Sequence, residues 1–172
     1  PDVDVTIEFK SEPSEVAAIM ASGDNEVIAM LPQPYVTTVV TQNTNTNVRI
    51  ALDVTEEWEK LAGKDSTVVT GVVAVNAEFA KNNPQAVAKF MEEYRKSTDY
   101  VNSNIDGAAQ IMEDEGIFKA AIAKKAIPYC NITFITGKEM KTKITSYLSV
   151  LNSQNPASIA GAMPNDNFYY IT

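Results

Sequence analysis

The chain has no histidine, one cysteine, one tryptophan, and 14 basic residues against 22 acidic ones. Without histidine there is no imidazole base or ligand, so Ser–His–Asp triads and histidine-bearing metal sites are excluded. The single cysteine, Cys130, rules out an intrachain disulfide. A lone thiol among apolar neighbours reads as a small hydrophobic residue rather than a reactive thiolate. A formal net charge of -8 argues against nucleic acid as the main partner, because phosphate binding requires concentrated Lys and Arg. No apolar run approaches the roughly 20 residues of a membrane helix. The opening Pro1-Asp2-Val3-Asp4 is acidic and has no signal-peptide character. The expectation is therefore that a targeting segment has been removed or that the protein's start is missing.

What is present suits a packed protein. With 172 residues, 45% of them hydrophobic, the chain can build one sizeable domain or two small lobes. Val3, Val5, Ile7 and Phe9 alternate with Asp4, Thr6 and Glu8, the period of a strand. Ser11-Glu12-Pro13-Ser14-Glu15 reads as a helix start, with Val16, Ile19 and Met20 as its buried stripe and Gly23 as its left-handed cap. Val27 to Leu31 is an apolar run fit for a central parallel strand. Pro32 and Pro34 stop it and open a helix through Tyr35, Val36, Val39 and Val40. After a polar loop over 42–47, Val48 to Val54 reads as a strand and Thr55 to Leu61 as a short helix carrying Trp58. A turn at Gly63-Lys64-Asp65-Ser66 leads to a β-branched strand, Thr67 to Val75, bent at Gly71. Strand and helix alternate, which predicts an α/β class with parallel strands.

From Ala77 onward the texture is helical. Asn83-Pro84 predicts a capped helix with Val87, Phe90, Met91, Tyr94, Thr98 and Val101 on one face. Further helices are expected from Asp106 to about Glu115, from Ile117 to Ala126, and after a Thr136-Gly137-Lys138-Glu139 capping box. Met140, Ile144, Tyr147, Leu148 and Leu151 form the stripe of the last one. Ile132 to Ile135 reads as a short strand, and Phe168-Tyr169-Tyr170 as an anchor for an irregular tail.

The residues that can carry function cluster at Leu31-Pro32-Gln33-Pro34-Tyr35. In open α/β sheets ligands bind beyond the carboxyl ends of strands, where a loop enters a helix. Gln33 offers donors and an acceptor, Tyr35 a ring and a hydroxyl, and backbone N–H groups of the next helix can hold an anion. Two readings are open here, a ligand site and a proline-stiffened turn with a packed tyrosine. Thr37 stands on the same helix start. Thr70-Gly71 is a second candidate, a hydroxyl beside a residue that admits close approach, with a plain strand bend as its other reading. Trp58 reads as a packing residue. No carboxylate pair has the spacing of acid–base or metal chemistry, so no catalytic residue, metal or cofactor is assigned.

Two separated stretches carry a resemblance. One is Asp24-Asn25-Glu26-Val27-Ile28-Ala29-Met30-Leu31-Pro32-Gln33-Pro34-Tyr35. The other runs from Ile127-Pro128 through Gly137-Lys138-Glu139-Met140-Lys141 and Asn155-Pro156 to Met163-Pro164-Asn165-Asp166-Asn167-Phe168-Tyr169-Tyr170. Leu52 to Trp58, Gly71 to Val75 and Phe79 to Val87 lie between them in matching order. The chain resembles the solute-binding proteins of ABC importers, in the group that includes binders of sulfonates, taurine, nitrate and thiamine precursors. The resemblance implies a type 2 periplasmic-binding-protein fold: two α/β lobes, a solute in the cleft between them, and docking of the closed form onto a membrane permease. It implies an extracytoplasmic location, in the periplasm or lipid-anchored to the outer face of the membrane.

On that likeness residues 1–70 belong to the second lobe, and 71–172 form a crossover strand plus C-terminal helices that pack on the first. The N-terminal half of the family pattern is absent, so the expectation is that another chain supplies it or that the 172 residues are a proteolytic or designed fragment. The ligand-binding residues implied are Gln33, Pro34, Tyr35, Thr37, Thr70 and Gly71. Two proteins of the same fold are alternatives. A thiamine-pyrimidine synthase is disfavoured by the lack of histidine, since its chemistry is associated with histidine and iron. The effector-sensing domain of a transcription regulator would need a helix-turn-helix segment that this acidic chain does not show.

Overall fold

The computed structural model describes residues 4–22, 27–43, 48–63 and 66–171. The expectations for Val3, for the Gly23 cap with Asp24 to Glu26, for loop residues 44–47 and for Lys64-Asp65 lie outside them. Among the described residues the chain is mostly helical, at 61%, with no strand. Its helices are α1 (Pro13–Ala21), α2 (Tyr35–Gln42), α3 (Val54–Ala62), α4 (Ala77–Asn82), α5 (Pro84–Ser103), α6 (Ile105–Asp114), α7 (Ala120–Ala126) and α8 (Gly137–Gln154). Short 3-10 turns follow at Ile127–Tyr129, Pro156–Ile159 and Asp166–Phe168.

The expected α/β sheet is corrected by this architecture. Residues 5–10, 27–32, 48–53, 66–76 and 131–136 run without regular secondary structure, and Val54 opens α3 instead of closing a strand. Period-two alternation shows that a backbone is extended and which side chains share a face. A strand also needs a neighbour to complete its ladder of hydrogen bonds. Among the described residues the backbone bonds outside helices are turns and helix ends. Apolar side chains on these segments consequently face solvent, with Ile28 91% and Met30 81% exposed.

The chain divides into two compact units, one of Pro1–Ile50 with Lys96–Ile132 and one of Ala51–Arg95 with Thr133–Thr172. The 70/71 boundary drawn from the sequence falls inside the latter. In the first unit α1 packs on α2, α2 on α7, and α6 on α7. Its core is made of Ala108, Ala109, Ala123 and Ile127, with Val101, Ile105, Met112 and Phe118 against it. Three alanines at the centre let the backbones of α6 and α7 approach closely, where larger side chains would hold them apart. Asn102 Nδ2 donates to the Ile132 carbonyl at 2.9 Å, tying the end of α5 to the end of this unit.

In the second unit Trp58 packs on Tyr147 of α8 with ring centroids 5.2 Å apart, and its Nε1 donates to Ser66 Oγ at 2.9 Å. Its expected packing role is thus the one the structure gives. The stripe of α8 from Met140 to Leu151 is half-buried. The tail returns to that helix through Tyr169, which is 8% exposed. Its hydroxyl lies 3.0 Å from Thr145 Oγ1, and Lys141 pairs with Asp166 at 2.7 Å.

Local rules set most helix starts. Glu15 Oε2 accepts from the backbone N–H groups of Ser11 and Glu12, and Pro13 sits where a missing N–H costs nothing. Asp53, Asn76 and Asn104 each accept from the first turn of α3, α4 and α6. Two expected caps differ. Thr136 makes no side-chain bond at the start of α8. Asn83, expected to cap α5, turns its amide back to the Phe79 carbonyl at 3.1 Å and closes α4.

The start of α6 yields a prediction. Asn104 Oδ1 caps Gly107 N–H at 3.1 Å, and its Nδ2 donates to Tyr100 Oη at 3.0 Å. A methyl on Gly107 would stand 2.5 Å from Tyr100 Oη and 2.7 Å from Asn104 Nδ2. Gly107→Ala should therefore displace the cap and lower stability by about 1 kcal/mol, despite alanine's better helix propensity. Urea unfolding with an unchanged m-value checks this, and a stabilised variant would refute the crowding.

Candidate functional site

Among the residues singled out by sequence, those at the turn into α2 form a hydrogen-bonded polar cluster. The apolar segment ending at Leu31 meets Pro32, and the Gln33–Pro34 peptide bond is cis. Neither proline has an N–H to offer, and Pro34, as the residue before the helix, has no side chain that can cap it. Gln33 does this instead. Its Oε1 accepts from Thr37 Oγ1 at 2.8 Å and from Thr37 N–H at 3.3 Å. Both partners are donors, which fixes the amide with its oxygen toward the helix and its Nε2 donors turned away from Thr37.

This arrangement revises the expected anion pocket of backbone amides. Val36 N–H donates to the Pro32 carbonyl at 3.2 Å and Thr38 N–H to the Pro34 carbonyl at 2.9 Å. With Thr37 N–H given to Gln33, the amides of 36–38 are occupied, and an anion would have to displace the Gln33 oxygen to use them. The chemistry left at this turn is the Gln33 amide donors and the Tyr35 hydroxyl. Both suit a solute bearing hydrogen-bond-accepting oxygens.

Tyr35 shows the packing side of the two readings left open by the sequence. It is half-buried, and its ring meets Phe118 edge to face, centroids 5.6 Å apart and planes at 85°. The ring is therefore a packing element between α2 and the loop before α7. Phe118 carries no signal in the sequence, standing at the end of the α6–α7 loop more than eighty residues from its partner.

Gln33, Pro34, Tyr35 and Thr37 all lie in the first unit, brought together by the first turn of α2. Thr70 and Gly71 lie in the second unit, exposed. A Cβ added to Gly71 would meet nothing within 4 Å. The close backbone approach expected there is absent among the described residues, and no strand runs through Gly71 for it to bend.

Other features are chemically quiet. Among the described residues no group of three Asp, Glu or Cys side chains could hold a metal ion, and no helix is long and apolar enough to cross a membrane. Cys130 donates to the Ala126 carbonyl at 3.3 Å, and burial pushes its thiol above its ordinary range. A depression of about 230 Å³ between α1 and α2 is lined by Ala17, Ala18, Ala21, Thr38, Val39 and Gln42. A wider one of about 420 Å³ lies at Asn102 to Asp106, where Lys124 pairs with Asp106 at 2.5 Å.

Gln33 separates folding from binding. Gln33→Ala should lose the cap and about 1 kcal/mol of stability. Gln33→Glu keeps an acceptor for Thr37 and adds a charge suited to a helix N-terminus, so its melting temperature should match or exceed that of the parent. It has no Nε2 donors and should not bind an oxygen-rich anion. Thermal melts of both variants check the stability arm. A Gln33→Glu protein melting as low as Gln33→Ala would refute the capping role.

No family model, no curated protein and no solved structure matches this chain.

Proposed function

We propose that this chain is the C-terminal portion of an extracytoplasmic solute receptor serving an ABC importer. In this reading it helps capture a small solute rich in hydrogen-bond-accepting oxygens and delivers it to a membrane permease. What supports the reading is the order of segments that resemble that family, from Asp24–Tyr35 to Asn165–Tyr170. The observation that carries it is the turn at Gln33. An apolar segment ends at two prolines, and a glutamine held by Thr37 turns its amide donors outward at a helix start.

The exposed extended segments support it a second way. Apolar residues at 28, 30 and 52 in solvent are a liability for a protein working alone. They are suited to become sheet strands once the remaining receptor polypeptide is present. The proposed partners are therefore the solute, that N-terminal half and the permease, and the chain contributes binding rather than catalysis. Thr70 and Gly71 stay in the proposal as ligand contacts of the assembled receptor.

The test is a thermal-shift titration of the chain, alone and with a first-lobe polypeptide, against taurine, an alkyl sulfonate, nitrate and an aminopyrimidine. At least one should raise the melting temperature in proportion to the logarithm of its concentration. Tyr35→Phe should keep the parent's melting temperature, because the ring contact with Phe118 is retained, and weaken the shift by removing the hydroxyl. No shift with any solute in either form would defeat the reading.

A further inference from the structure

Residues 5–10 are exposed and without regular secondary structure, and Asp4 ahead of them stands in a turn. Val5, Ile7 and Phe9 share one face, with Phe9 90% exposed, and Asp4, Thr6, Glu8 and Lys10 share the other. Among the described residues no backbone hydrogen bond reaches residues 5–10. An unpaired edge of this kind is a template for another strand.

We propose that Asp4–Lys10 pairs antiparallel with the same segment of a second copy of this chain, across a two-fold axis at Ile7. The occupant follows from charge. In this register Asp4 faces Lys10 of the other copy, twice by symmetry, Val5 faces Phe9, Thr6 faces Glu8 and Ile7 faces Ile7. Every apolar residue meets an apolar residue, and the unlike charges at the two ends meet each other.

Competing registers fail on the same criterion. A two-residue slip one way sets Asp4 against Glu8, and the other way sets Glu8 against Glu8. A one-residue slip puts each apolar face opposite a polar one. Parallel in-register pairing sets Asp4, Glu8 and Lys10 each against its own copy. The sequence of this one segment therefore specifies one pairing with itself, with Lys10 also beside its own Glu8. The inference stands apart from solute binding, because none of these residues belongs to the turn at Gln33.

Sedimentation equilibrium of the full chain from micromolar to millimolar concentration tests it. The parent should rise from 18.7 kDa toward twice that mass. Asp4→Lys and Lys10→Asp each set like charges opposite one another at both ends and should weaken association about tenfold. The double variant Asp4→Lys, Lys10→Asp should recover most of that loss. Both changes are at exposed residues, and circular dichroism checks that folding is retained. A parent that stays monomeric throughout would overturn the proposal. So would single reversals without effect, or a double variant as weak as the singles.

Discussion

A backbone amide withdrawn from water needs a partner, and in this chain the partners are supplied locally. Helices satisfy their own interiors, and their starts are completed by side chains a few residues away: Glu15 for α1, Gln33 for α2, Asp53 for α3, Asn76 for α4 and Asn104 for α6. Longer-range bonds are sparser, among them Asn102 to Ile132, Trp58 to Ser66 and Thr145 to Tyr169. Segments that would need a neighbouring strand, and have no helix geometry to fall back on, remain extended. That one requirement separates the helical body from the apolar stretches left in solvent.

The same requirement explains what could be read from the sequence. Helix positions were legible because their signals are local: Pro13 with Glu15, the 3.6-residue stripe of α8, and polar residues ahead of apolar runs. The sheet was not, because alternation of Val5, Ile7 and Phe9 describes the faces of a chain and says nothing of who pairs with it. Caps were legible in kind and less so in partner. Asn83 serves the helix before it, and Thr136 serves none with its side chain. At the candidate site the turn and its residues were readable, but not that Thr37 would bond to Gln33. The Tyr35–Phe118 contact was not, since it depends on how α2 meets the end of the α6–α7 loop.

Under the proposed solute-binding reading, the chemistry of the turn narrows the ligand more than the overall charge does. A chain of net charge -8 would be a poor general attractor of anions, yet one oriented amide offers donors without any positive side chain. By committing its oxygen to Thr37, Gln33 gives the site a direction: acceptors are welcome, donors are not. The proline on either side restricts the backbone and removes competing N–H groups, so the amide is the principal polar voice of the turn. Tyr35 adds a hydroxyl on a ring already anchored by Phe118.

The central claim is that the apolar extended segments await a partner strand while the helical body stands without one. Amide hydrogen exchange on the chain alone tests it most directly. Fast exchange is predicted at Ile28, Met30, Ile50, Leu52 and Val72, with slow exchange at Ala108, Ala109 and Ala123. Protection across 27–31, 48–52 and 67–75 comparable to that of α6 and α7 would mean that a ladder already pairs these segments within the chain, and would contradict the account.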